Sequence, residues 1–233
     1  MRVKPNRDLV AFAGGLAHEL ANIFTAAAGN LSLLESGPGG GGIYRQALGD
    51  ARRSYVRGFA LVEQLKAVAG LSGLAAEASD LNRLAAEAAG AARQSLPPGF
   101  AVALKLTAED CTAVVDREKF AEAMAAVIEN AAEAAGEGSL AVETSVAGDD
   151  GTEYVRVAVR DAGPGMTADF AARACDPLVT SKPPHFRHGW GLALCEGFVR
   201  QSGGYLEIDS EPGRGTCVAL HLPRAKAPPP AEA

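Results

Sequence analysis

Between residues 8 and 35 the apolar side chains fall at Leu9, Phe12, Leu16, Leu20, Ile23, Ala27, Leu31 and Leu34. The steps alternate between three and four, the spacing that gathers them on one side of a helix. The run Gly37-Pro38-Gly39-Gly40-Gly41-Gly42 breaks the pattern, and a helical one resumes from Tyr44 through Leu48, Tyr55, Phe59, Val62, Leu65 and Val68. Two long amphipathic helices around a glycine-rich turn predict an antiparallel helical hairpin. A lone hairpin cannot cover both stripes, so pairing with a second copy into a four-helix bundle is the economical solution.

After Ser72-Gly73 the pattern changes. Residues 81–94 read as a helix stopped by Leu96-Pro97-Pro98-Gly99, residues 100–106 alternate like a strand, and residues 117–135 form an alanine-rich helix started by Asp116. Two β-like segments follow, 139–146 and 154–160, with Gly148-Asp149-Asp150-Gly151 as a hairpin turn. A glycine loop at 161–166, an irregular stretch to 188, a helix from about 192 to 202 and two strands, 205–210 and 216–222, complete the chain. Strands and helices without strict alternation predict an α+β layer, helices on one face of a sheet. The expected organisation is a hairpin domain over 1–73, a second domain over 74–224 and a disordered proline-rich tail over 225–233.

Composition narrows the function. Lys+Arg 22 against Asp+Glu 28 gives 22 − 28 = −6, which argues against a protein built to hold nucleic acid. Hydrophobic residues make up 48% of the 233, too many for a disordered chain, and no apolar run is long enough to span a bilayer. Cys111, Cys175, Cys195 and Cys217 lie far apart with no CxxC pair, which favours a thiol-reduced, cytoplasmic chain over a disulfide framework or zinc site. The polar start shows no signal peptide.

His18 lies two positions from both Leu16 and Leu20, about 200° around the helix from each, so it faces away from the stripe. Glu19 follows it, and Asn22 sits one turn on, on the same face. An imidazole beside a carboxylate can be held in one tautomer, leaving its other nitrogen as a nucleophile. Taken alone, His18 also fits an ordinary solvated histidine.

Three later segments carry chemistry of another kind. Asn130, in Ala125-Ala-Val-Ile-Glu-Asn130-Ala, offers a helical amide oxygen to a hard cation. Asp161-Ala-Gly163-Pro-Gly165-Met follows a strand, so Asp161 can accept from a base amino group while the glycines bring the backbone close. Gly189-Trp-Gly191-Leu192-Ala-Leu opens a helix, where free N–H groups and the helix dipole suit phosphate. Each has a plainer reading: a polar residue on a surface helix, a tight turn, a helix start. Between residues 180 and 189, Lys182 and Arg187 can reach phosphates electrostatically, while His185 and His188 fit a solvated loop.

The segment from Gly14 to Leu34, with His18-Glu19 at its centre, resembles the phospho-acceptor box of two-component sensor histidine kinases. The Asn130 segment, the Asp161–Gly165 loop, Cys175-Asp-Pro-Leu-Val-Thr-Ser-Lys-Pro, the Gly189–Gly191 loop and the closing run from Gly197 to Pro223 resemble that family's ATP-binding domain, which shares its fold with gyrase, heat-shock chaperone and mismatch-repair ATPases. The resemblance implies an α/β sandwich nucleotide domain, ATP and Mg²⁺ as cofactors, a homodimer and a response-regulator receiver domain as partner. It implies that His18 is phosphorylated, that Glu19 is the acidic partner that helps activate it and Asn22 supports phosphatase chemistry, that Asn130 holds Mg²⁺, and that Asp161, Gly163, Gly165, Lys182, Gly189, Gly191 and Leu192 line the nucleotide.

The chain departs from the family pattern at Ala126, where a second asparagine is usual, and at Cys175, Leu178, Trp190 and Ala193. Two rivals therefore stand beside a histidine kinase: a histidine phosphotransferase or phosphatase with little autokinase activity, and a non-catalytic nucleotide-binding dimeric scaffold. Seven residues before the first helix are too few to sense anything, so a separate sensory protein or a missing sensor region is expected to supply the input.

Overall fold

The computed structural model describes residues 20, 22–27, 29, 31, 46, 48–51, 53–54, 58, 73–97, 100–136, 138–149, 151–176, 179 and 189–225. The chain divides into two compact units, one over Asn6–Ala69 and one built on Gly70–Ala233.

In the first unit every described residue is helical. Ala51, Ser54 and Gly58 recur at helical spacing and are buried. A methyl added at Gly58 would come within 3.2 Å of Ile23 Cγ2, so small residues on one helical segment admit the other closely. Phe24, Leu31 and Leu48 remain 62%, 50% and 56% exposed. The sequence pattern placed Leu31 and Leu48 on buried stripes; within one chain these side chains stay in water. The expected turn at residues 37–42 lies outside the described residues.

The second unit is a sheet covered by helices. Strand β1 (Glu77–Asp80) pairs antiparallel with β3 (Thr112–Val115). Strands β2 (Ala101–Lys105), β4 (Ser139–Asp149), β5 (Thr152–Asp161), β6 (Tyr205–Ser210) and β7 (Thr216–Pro223) form a five-stranded sheet in the order β2-β4-β5-β7-β6. Among the described residues β2 and β4 pair parallel and the other neighbours antiparallel. Alternation decides what each strand buries: Leu140 and Val142, Val155, Val157 and Val159, Leu206 and Ile208, and Leu220 and Leu222 join one continuous core.

Helices α1 (Leu81–Ala92), α2 (Arg117–Ala135) and α4 (Gly191–Gln201) complete that core, and a single turn, α3 (Ala168–Ala171), lies before α4. Asp80 and Asp116 supply the N-caps of α1 and α2, each accepting a backbone N–H of the first turn. Phe120, Met124, Val127, Ile128 and Ala131 give α2 its buried side, and Phe120 meets Phe198 of α4 edge-on at 6.5 Å between ring centres. Gly136, at φ 63°, ends α2.

Three features differ from the sequence pattern. β1 and β3 are four-residue strands within stretches that read as connections, too short for a period-two signal. α3 lies in the stretch expected to be irregular, started by Thr167 Oγ1 accepting from Phe170 N. The β4–β5 ladder runs to Asp149 opposite Thr152, so the turn is two residues with Gly151 at φ 79°, tighter than the four-residue turn expected.

Candidate nucleotide site

The site is organised by one stripe of α2. Ala126, Asn130 and Ala134 are four residues apart, which sets them one above another on the same side of the helix. A methyl added at Gly191 would meet Asn130 Nδ2 at 3.4 Å and Ala126 Cβ at 3.5 Å. A methyl added at Gly163 would fall 2.8 Å from the Ala134 carbonyl oxygen. The two glycine loops, about thirty residues apart in sequence, therefore rest on three successive turns of a single helix.

The first loop is built on Asp161, the last residue of β5 and only 7% exposed. Its Oδ1 accepts from Gly163 N at 2.8 Å and Thr216 N at 3.3 Å. Burial pushes the Asp161 carboxyl above its usual range, against the pull of those two N–H groups and of Arg160. Among the described residues no hydrogen bond ends on its Oδ2, which leaves an acceptor for an incoming donor.

The β6–β7 connection clamps this loop. Gly213 N donates to Pro164 O at 2.7 Å, Met166 N donates to Ser210 Oγ at 2.9 Å, and Ser210 Oγ donates to Gly215 O at 3.0 Å. Gly165 sits at φ 68° with the Glu211 carbonyl oxygen where a Cβ would project. The sequence reading did not assign Ser210, Gly215 or Thr216 to the site. Their signal was the Gly213-Arg-Gly215-Thr216 turn, whose partner is distant in sequence.

The second loop leads into α4. Gly189 adopts φ 69°, and Trp190 is the N-cap residue with no side-chain capping bond, so backbone N–H groups of the first turn face outward from the helix start. The Trp190 ring is buried. Leu192 is half-buried and packs on the core. Burial raises the thiols of Cys175 and Cys195 and the carboxyl of Glu196. These thiols are poor nucleophiles, and all four cysteines are buried and unbridged.

Asn130, Asp161, Gly163, Gly165, Gly189, Gly191 and Leu192 thus belong to one unit, and α2 brings the two loops together. Asn22 is an exposed helical residue of the other unit. His18, Glu19 and Lys182 lie outside the described residues.

A five-stranded sheet backed by helices, with two glycine loops packed on one of them, is an α/β sandwich. Residues 115–226 match the family described as histidine kinase-, DNA gyrase B-, and HSP90-like ATPase. The match covers the core of the second unit, and the proteins this chain is similar to beyond that segment are sensor histidine kinases. Over 215 residues, 91% of the chain, it is 29% identical to the sensor histidine kinase ZraS of Klebsiella oxytoca, covering 45% of that protein. It spans less than half the length of the curated relatives it matches. In fold it is similar to the histidine kinase AdeS of Acinetobacter baumannii (TM-score 0.59, 18% identity, 90% of this chain and 98% of that one). It is similar also to full-length ShkA solved with AMPPNP (TM-score 0.60, 20% identity, 95% and 47%).

Proposed function

We propose that the chain is the catalytic core of a sensor histidine kinase that phosphorylates His18 from ATP and passes the phosphoryl group to an aspartate of a response-regulator receiver domain. The observation that supports this reading is the stripe Ala126–Asn130–Ala134 of α2, against which both the loop anchored on buried Asp161 and the start of α4 pack. Asp161 Oδ2 accepts from the adenine amino group, Gly163 and Gly165 pass beside the base, and the start of α4 with Gly189, Gly191 and Leu192 receives the phosphates. Lys182 adds positive charge there. The donor set fits Mg²⁺, which takes one or two protein oxygens together with substrate phosphates; Asn130 supplies the protein oxygen. When bound, the ion neutralises charge on the phosphates.

In the transfer, a phosphorus–nitrogen bond to the His18 ring forms as the β–γ phosphoanhydride bond breaks and ADP leaves. Glu19 holds the N–H of the other ring nitrogen and takes up the proton released, while Asn22 orients a water or a phosphoryl oxygen. The exposed Phe24, Leu31 and Leu48 support a homodimer in which a second hairpin covers them. Among the described residues no helix is long and apolar enough to cross a membrane; a cytoplasmic setting and a separate or additional sensory region complete the reading.

Incubation with γ-labelled ATP and Mg²⁺ tests it on wild type, His18→Ala and Asn130→Ala. The expected label is acid-labile, alkali-stable and lost in both variants. Nucleotide binding without label sinks the kinase and favours a phosphotransferase, phosphatase or scaffold, toward which Ala126 points, since an alanine there offers the cleft no second amide.

A further inference from the structure

The chain enters the second unit through residues 73–76, followed at once by β1. β1 lies antiparallel to β3, Glu77 opposite Val115 and Asp80 opposite Thr112, and β3 leads directly into α2. The two ends of this connection are tied to one side chain. Asp116 Oδ1 accepts from Lys119 N at 3.1 Å and caps α2, while its Oδ2 accepts from Ala75 N at 2.8 Å. Asp116 is only 8% exposed although Ala75 is exposed. The next residue repeats the tie: Arg117 Nε lies 2.7 Å from Glu77 Oε1 and donates to Ser79 Oγ at 3.1 Å. An N-cap needs one acceptor. Here the second oxygen of the same carboxylate, and the first side chain of the helix, both hold the incoming segment.

We propose that Asp116 is a positioning residue that couples this entry segment to the nucleotide cleft. The coupling rests on the function proposed above. Helix α2 is a continuous rod, and Asn130 stands thirteen residues from Arg117, about 20 Å along the axis. A shift of the rod at Asp116 moves Asn130 against Gly191, and Ala134 against Gly163, because close packing lets the helix move only as a body. Docking of residues 73–76 and seating of a nucleotide then favour the same position of α2. Asp is the side chain this requires: two carboxylate oxygens accept two N–H groups at once, whereas Asn has one acceptor and turns a donor toward the other N–H. By reciprocity, whatever nucleotide does to the Ala75 bond, losing that bond does to nucleotide affinity by the same factor.

The test is amide hydrogen exchange at Ala75 in the full chain, with and without AMPPNP and Mg²⁺. In wild type the nucleotide is expected to slow exchange at Ala75 by about fivefold or more, the lower end of usual coupling between sites. In Asp116→Asn, which keeps a good N-cap, that response disappears and AMPPNP affinity falls by the same factor. Ala75→Pro removes the donor without touching the cap and lowers affinity equally, and the double variant is no weaker than either single one. AMPPNP that binds wild type yet leaves Ala75 exchange unchanged overturns the coupling, as does undiminished affinity in both variants. Failure of AMPPNP to bind wild type at all removes the nucleotide reading itself.

Discussion

Gly191→Ala separates folding from binding at this cleft. The added methyl would meet Asn130 Nδ2 at 3.4 Å and Ala126 Cβ at 3.5 Å, both ordinary contact distances, and the residue is helical. No overpacking penalty follows. Alanine in place of glycine in a helix gains up to about 1 kcal/mol, less at the first residue, so the unliganded variant is expected within about 0.5 kcal/mol of wild type or slightly above it. The same methyl stands beside Asn130 at the start of α4, where phosphate oxygens are proposed to sit. A tenfold loss of nucleotide affinity corresponds to about 1.4 kcal/mol.

Thermal unfolding with and without ATP and Mg²⁺ reads both quantities. At a nucleotide concentration of about 100 Kd the wild type gains about 2.7 kcal/mol. For a domain of this size that is a rise of about 5–10 °C. After a tenfold loss of affinity the gain is about 1.4 kcal/mol, so the rise in Gly191→Ala falls to about 3–6 °C while the unliganded Tm stays within about 2 °C of wild type. A variant that retains the whole rise shows that Gly191 does not face the ligand. A variant that loses several degrees without ligand shows that the methyl does not fit, and refutes the argument from contact distances.

Gly165→Ala is expected to act in the opposite way. Its Cβ would overlap the Glu211 carbonyl at φ 68°, so a left-handed penalty of about 1–2 kcal/mol adds to overpacking of about 1–3 kcal/mol. Urea unfolding within about 1 kcal/mol of wild type would show that the Glu211 clamp yields. Asp161→Asn keeps an oxygen for Gly163 N and Thr216 N and removes a buried charge. Because burial raises this carboxyl in the folded state, ionisation destabilises the wild type above the folded pKa, and the loss is recovered as pH falls toward the unfolded value of 3.8. The variant should therefore be at least as stable at pH 7, converge with wild type near pH 4, and bind nucleotide more weakly; lower stability at pH 7 would contradict the assignment. His221 donates or accepts at Nε2 with Glu207 at 3.1 Å and stacks on Tyr205, and burial holds its imidazole below the usual 6.5. The unfolded chain takes the proton first, so stability is lost as pH falls below 6.5. His221→Phe, which keeps the stack, should flatten the decline of Tm between pH 7 and 5, and equal slopes in the two proteins would exclude His221 as its source.

Local signals read well where one element carries them. The Asp116 cap and the alanine-rich repeat mark α2 over residues 117–135 in the sequence as they do in the structure. The alternation of β4 and β5 is legible in the same way, since each strand buries every second residue against the helices. β1 and β3 were not legible, because four residues with one or two buried side chains carry no period. Asp161, Gly163, Gly165 and Gly191 could be singled out as glycine-loop chemistry, but not the Thr216 N–H on Asp161 or the Gly213 N–H on Pro164, whose partners lie about fifty residues away.

The structure also distinguishes glycines that look alike in the sequence. At Gly163 the obstacle to a side chain is the Ala134 carbonyl, part of the α2 backbone, and at Gly165 it is the Glu211 carbonyl; neither can move without disturbing a hydrogen-bonded element. At Gly191 the nearest atom is the Asn130 amide nitrogen, at a distance a methyl tolerates. Glycine is thus demanded at 163 and 165 by the fold itself, whereas at 191 the folded chain alone would accept alanine. Gly191→Ala therefore isolates the proposed role of the α4 start beside Asn130: the fold leaves room for the methyl, and only a phosphate bound there would be displaced by it.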